Sequence, residues 1–154
     1  MTTPIIGLTT GIEAKRNLIR RLKNEADGGL LRDVSVDYAY NGQVGRRSIY
    51  GGGWRGTPKQ LSAESGSLYS EVVTAGLYIR IRTEGAADVE TLDGEGGEIA
   101  AILAAVAVRD PRLAGGMTWL GIAWSQGDYS RTDAETIVVH AYQAQIATFG
   151  SWGP

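Results

Sequence analysis

The sequence predicts an α+β fold: a single domain, residues 1–154, in which two α-helices pack on a mostly antiparallel or mixed β-sheet. Three observations carry that prediction. Two stretches repeat apolar residues at helical spacing, several others alternate apolar and polar residues with period two, and no linker or internal repeat divides the 154 residues. A chain of this length buries roughly 68–70% of its unfolded surface, so its core needs neither a disulfide nor a metal.

The first helix is announced by Thr10-Gly11-Ile12-Glu13, which has the form of a capping box. Ile12, Ile19 and Leu22 follow at helical spacing, with Ala26 one turn on and Leu18 beside the stripe. The helix is expected from about Gly11 to Glu25, ended by Gly28-Gly29. Its other face, Lys15, Arg16, Arg20, Arg21 and Lys23, reads as a solvated face whose charges suit a helix C-terminus.

"VSVDYAY" alternates strictly, placing Val34, Val36, Tyr38 and Tyr40 on one face, and Asn41-Gly42 supplies a turn. This predicts a half-buried antiparallel strand with "RRSIY" returning as its partner. A glycine-bearing excursion, about Gly51 to Gly66, is expected to be exposed and flexible. Leu68 to Thr83 reads as a long strand or a bulged pair, with Leu77, Ile79 and Ile81 facing one way, Tyr78, Arg80 and Arg82 the other, and a bulge or bend at Gly76.

The acidic "EGAADVETLDGEGGE" then leads into a helix from about Gly97 to Val108, striped by Ile99, Ile102, Leu103 and Val106. Ala100, Ala101, Ala104 and Ala105 keep its remaining surface thin enough for close approach to a sheet or a neighbouring subunit. Asp110-Pro111 stops it. "MTWLGIAWS" and "ETIVVHAYQAQIATF" alternate as two strands joined by a polar loop from Gln126 to Asp133, and a flexible tail is expected at about 149–154.

Composition narrows the function. The 15 basic and 17 acidic residues leave a net charge of −2, which gives no global attraction for nucleic acid. The absence of cysteine removes thiolate metal sites and suits an intracellular or virion protein. No leader pattern and no apolar run near 18 residues is present, so a soluble protein without a membrane partner is expected.

Candidate chemistry is sparse. Gly51, Gly53 and Gly56 match the G-x-G-x-x-G spacing, yet Thr57 to Ser67 has too few apolar positions to open a helix, and Thr57 stands where a Walker loop needs lysine. His140 is the sole histidine and lies inside a strand pattern between Val138 and Tyr142, which points to a satisfied strand histidine rather than a catalytic one. Asp128 and Asp133, or Asp93, Glu95 and Glu98, have the oxygen chemistry for a divalent cation but lack the EF-hand spacing, and read as solvated acidic loops. No catalytic residue, cofactor or metal is therefore expected, and the chain is not read as an enzyme.

What remains is contact chemistry. One patch is basic and aromatic, with Arg46, Arg47, Arg55, Tyr78, Arg80 and Arg82; the other is acidic, with Glu84, Asp88, Glu90, Asp93, Glu95 and Glu98; and Trp54, Arg55 and Lys59 of the glycine excursion are suited to touching a partner. Trp152 in the C-terminal tail is a further contact candidate. Complementary patches of this kind set the register and orientation of an assembly.

The order of a leading amphipathic helix, "VSVDYAY", a glycine excursion, "GLYIRIRT", an acidic lead into "EIAAILAAVAV" and the closing "WLGIAWSQGDYSRTDAETIVVHAYQAQI" resembles the tail terminator proteins of long-tailed bacteriophages. The likeness spans nearly the whole chain and rests on length, element order and texture. It implies a virion protein at the head-proximal end of the tail, assembled in the host cytoplasm as a ring, usually of six subunits, that caps the tail tube and stops its growth. The implied partners are other copies of the chain, the major tail tube protein and a head-completion or connector protein, with DNA only passing through the lumen. The alternatives are another neck or head-completion protein, or a small-ligand-binding or hydrolytic domain built around the glycine segment.

Overall fold

Apolar stripes on two helices and alternating apolar positions on the strands meet on one side of one sheet. The computed structural model describes residues 8–31, 33–42, 45–60 and 68–151. In chain order these form α1 (Leu8–Gly28), β1 (Ser35–Asp37), β2 (Arg47–Gln60), β3 (Leu68–Glu84), α2 (Val89–Arg109), a 3-10 turn (Ala114–Gly116), β4 (Thr118–Arg131) and β5 (Glu135–Ser151). The sheet order is β1-β2-β3-β5-β4, with β1 and β2 parallel and every other pair antiparallel. The α+β class expected from the sequence is the class observed.

β3 is the central strand. Its alternate residues Glu71, Val73, Ala75, Leu77, Ile79 and Ile81 are all buried, as are Val138, Tyr142, Ala144 and Ile146 of β5 and Ile49 of β2. Ala14, Leu18 and Leu22 of α1, at i, i+4 and i+8, and Leu92, Ile99, Leu103 and Val106 of α2 pack on that side in one core. The opposite side, which carries Tyr50, Tyr78, Arg80, Val139 and Ala141, is only half-buried.

Several local expectations change. The alternation of "VSVDYAY" does not make a long antiparallel strand: β1 is three residues and runs parallel to β2, with Val36 opposite Ile49. The tyrosines that extend the pattern find partners outside the ladder. The Tyr38 ring lies 3.9 Å from Lys15 Nζ, and Tyr40 packs on Tyr50 at 5.2 Å between ring centres.

The glycine segment is likewise strand rather than excursion as far as Gln60. β2 carries a bulge between Gly51 and Trp54, facing Leu77 and Ala75, so the irregularity lies opposite Gly76 while β3 passes Gly76 in unbroken register with β5. Close neighbours explain the glycines: a Cβ at Gly51 would lie 2.5 Å from the Tyr38 carbonyl oxygen, and one at Gly52 would lie 2.5 Å from Tyr78 Cε2. Residues 61–66 of the expected loop, and Trp152 in the expected tail, lie outside the described residues.

α1 extends a turn beyond the expected limits at its N-terminus and to Gly28 at the other end, and α2 begins at Val89 rather than Gly97. Gly94, Gly96 and Gly97 each disfavour helix by about 1 kcal/mol. Burial of Leu92 and Gly96, and acidic residues near the positive end of the helix dipole, override that preference. The last hairpin is longer too. β4 continues to Arg131 through the segment expected as a loop, with register shifts beside Gly121 and Gln126, and the connection shrinks to 132–134, closed by the Thr132 amide donating to the Glu135 carbonyl at 2.9 Å.

Trp54 is half-buried and packed on the core, with its six-membered ring against Gly11 of α1, where a Cβ would overlap it. Gly11→Ala should therefore destabilise the protein by about 1–3 kcal/mol through overpacking. In a Trp54→Ala background the same change should instead stabilise by about 1 kcal/mol, the helix-propensity gain of alanine. Urea unfolding of the four proteins of this cycle measures both values, and equal effects in the two backgrounds would contradict the packing.

Candidate interface surfaces

The residues expected to meet partners divide into two groups once the chain is folded. Arg46 Nη2 and Arg47 Nη2 both reach Glu95 Oε1, at 2.9 and 3.3 Å, fastening the start of β2 to the first half of α2. Arg82 Nε bonds Glu135 Oε2 at 2.7 Å across the β3–β5 pair. Asp93 Oδ1 is 2.8 Å from His140 Nε2, and Asp88 Oδ2 accepts from the Thr91 hydroxyl at 2.9 Å. At Glu95 the two expected patches are thus joined inside one chain.

The second group keeps its charge or surface outward. Arg55 and Glu90 are exposed, and the backbone of Lys59 pairs with Ser70 in the sheet. Tyr78 stacks on Tyr50 at 5.2 Å and 18°, and Tyr50 contacts Tyr40, giving a ladder of three tyrosines on the side of the sheet away from the core. Arg80 lies beside it, with Cζ 5.7 Å from the centre of the Tyr40 ring. Burial pushes the Tyr50 hydroxyl to a higher pKa, an effect that the nearby Arg80 charge opposes.

Next to the ladder an open groove runs towards β4. One hollow, about 470 Å³, is lined by Tyr78, Gln126, Asp128, Tyr129, Val139 and Ala141; a second, about 390 Å³, adjoins it at Tyr78 and Ala141 and reaches the β2 bulge. Tyr40 beside the ladder and Tyr129 in the groove are 53% and 64% exposed, and Trp124, 66% exposed, stands opposite Tyr142 on the helix side of the β4 edge. Exposed apolar surface beyond a complete core is of the kind found at interaction surfaces.

His140 is buried, bonded to Asp93, packed on Gly96 and set edge-on to Tyr142 at 6.5 Å. Among the described residues, no three His, Cys, Asp or Glu side chains gather as metal ligands. No helix among them is long and apolar enough to cross a membrane. In the glycine segment the Tyr38 carbonyl lies against Gly51 and the Tyr78 ring against Gly52.

Two ionisable groups are buried against expectation: Lys15, read from the sequence as part of the solvated face of α1, and Glu71, which was not singled out. Lys15 sits on the buried side of α1, where burial lowers its pKa, and its ammonium faces the Tyr38 ring. Glu71 is 2% exposed, and neither of its carboxylate oxygens has a hydrogen-bond partner. The signal for Glu71 was present: continuing the alternation of Leu77, Ile79 and Ile81 backwards places residue 71 on the core side.

Glu71 and Glu95 should give opposite pH signatures. Burial alone raises the Glu71 carboxyl above its ordinary value. Its contribution to stability is complete below the unfolded value of about 4.3 and declines as pH rises through the folded one. Burial also raises Glu95, but the hydrogen bond and charge of Arg46, with those of Arg47, outweigh it and hold the carboxyl below its ordinary value. That contribution is present above about 4.3 and is lost as pH falls through the folded value. Glu71→Gln should accordingly stabilise increasingly as pH rises, whereas Glu95→Gln should destabilise by about 1 kcal/mol near neutrality and have little effect in acid. Urea unfolding of both variants across the acid-to-neutral range decides this, and slopes of the same sign would contradict the assignment.

No protein-family model matches this chain, and no curated protein does.

Proposed function

We propose that this chain is a structural, ring-forming protein of the tail-terminator kind, in which about six copies close the head-proximal end of a phage tail tube and present a surface for the head-completion protein. The observation that carries this reading is the one-sided burial of the sheet. The helices complete the core on one side, while the other side keeps a tyrosine ladder and a groove lined by exposed Tyr129. Such a surface suits a partner protein better than a small substrate, because it is broad, open and free of any assembled acid, base and nucleophile.

A ring needs two different patches on each subunit that close after a fixed rotation. The open sheet side is one. The exposed side of α2, with Glu90, Gly94, Glu98 and Ala101, is a second, acidic and thin. Another neck component would use the same surfaces, and the resemblance in element order favours the terminator. The glycine segment gives no support to a nucleotide-dependent function, since it is a bulged strand with no helix opening on Gly56.

Purified protein mixed with tail tubes and imaged by negative-stain electron microscopy should show six-fold rings seated on tube ends, with tube length held constant. Assembly should weaken with added salt, because contacts between exposed charges are screened beyond about 8 Å at physiological ionic strength. Protein that stays monomeric in sedimentation with and without tubes, and leaves tube growth unchanged, would overturn the reading.

A further inference from the structure

Among the described residues four arginines are half-buried, and three of them have a carboxylate within the chain: Arg21 with Asp110 at 3.2 Å, Arg47 with Glu95 at 3.3 Å, and Arg82 with Glu135 at 2.7 Å. Arg80 has none. Its Nη1 is buried without an acceptor, and its cross-strand partner Ser48, fully buried, has a hydroxyl equally without a partner. The Tyr40 ring faces the guanidinium, and Tyr50 and Tyr78 continue the aromatic wall. A partly desolvated cation gains most from a carboxylate, which the planar fork of arginine can hold through two parallel hydrogen bonds.

The complementary group lies on α2. Asp93 and Glu95 are committed to His140 and to Arg46 and Arg47, whereas Glu90 and Glu98 are exposed and have no partner among the described residues. Between and beyond them Gly94, Gly97, Ala101 and Ala105 are also exposed, and a Cβ at Gly94 or Gly97 would meet only open space. These small residues let a flat aromatic sheet surface approach the helix backbone closely while the two glutamates reach past it.

We propose that Arg80 is the receptor for a carboxylate delivered by Glu90 or Glu98 of a second copy, so that the exposed side of α2 in one subunit docks on the open sheet side of the next. The inference rests on the ring reading and makes it specific. Arg80 becomes the residue that sets the register between subunits, while Arg46, Arg47 and Arg82 hold their own subunit together. The contact is heterologous, as ring closure requires.

A reciprocal charge exchange in the full-length chain tests it, with sedimentation velocity at low salt as the readout and circular dichroism melting as the check on folding. Arg80→Glu should weaken assembly at least tenfold, and Glu90→Arg with Glu98→Arg should do the same. Combining all three should restore most of the loss, and Arg80→Met, which keeps the apolar stem, should weaken assembly if Arg80→Glu does not fold. Unchanged assembly of folded Arg80→Glu or Arg80→Met would overturn this contact and leave the ring standing. Two damaging exchanges without mutual rescue would overturn α2 as the donor. A wild-type chain that stays monomeric with and without tube ends would overturn the contact and the ring together.

Discussion

The period-two burial of β3 is the constraint from which the architecture follows. From Glu71 to Ile81 each alternate side chain is buried on the core side, and the strand pairs along its whole length with β5 and over most of it with β2. A register slip of one residue would expose Leu77, Ile79 and Ile81 and bury Tyr78, Arg80 and Arg82, so the pairing is strongly specified. Both helices must then lie on the side where the apolar set points. The other side is left with tyrosines and an arginine, residues that can be half-buried because each combines an apolar body with a polar end.

The same constraint accounts for the division of charge. Arginines near the edges of the sheet or the helix ends can reach a carboxylate of their own chain, as Arg47 reaches Glu95 and Arg82 reaches Glu135. Arg80 sits at mid-strand on the uncovered side, and its directly paired neighbours, Ser48 and Val139, carry no charge. On the core side, Glu71 is trapped by the alternation that buries its neighbours. One strand therefore carries both an unpaired cation towards solvent and an unpaired carboxyl towards the core.

Much of this was legible in the sequence. The class, both helices, the long β3 and the closing hairpin follow from apolar spacing, and the opposed faces of "LYIRIR" are those observed. What misled were residues whose conformation is decided by distant neighbours. Gly51 to Gly53 read as a loop because glycine is rare in strands, but Tyr38 closes on Gly51, Tyr78 closes on Gly52, and a bulge absorbs the extra residue. Gly94, Gly96 and Gly97 hid the first two turns of α2 for the same reason, and Tyr38 and Tyr40 extended an alternation that the ladder does not follow. In the candidate interface, the charge inventory was readable but its pairing was not. That Arg46 takes Glu95 and Arg82 takes Glu135, while Arg80 has no carboxylate among the described residues, depends on contacts between residues 49 and 53 positions apart, which no local pattern reports.

The central claim is that the uncovered side of the sheet is an assembly surface. Hydroxyl-radical footprinting of the free chain and of the chain bound to tail tube ends tests it most directly, because it reads side-chain exposure residue by residue. Oxidation of Tyr40 and Tyr129, both exposed in the single chain, should fall severalfold on assembly. Equal oxidation of these two residues in free and bound protein would contradict the claim.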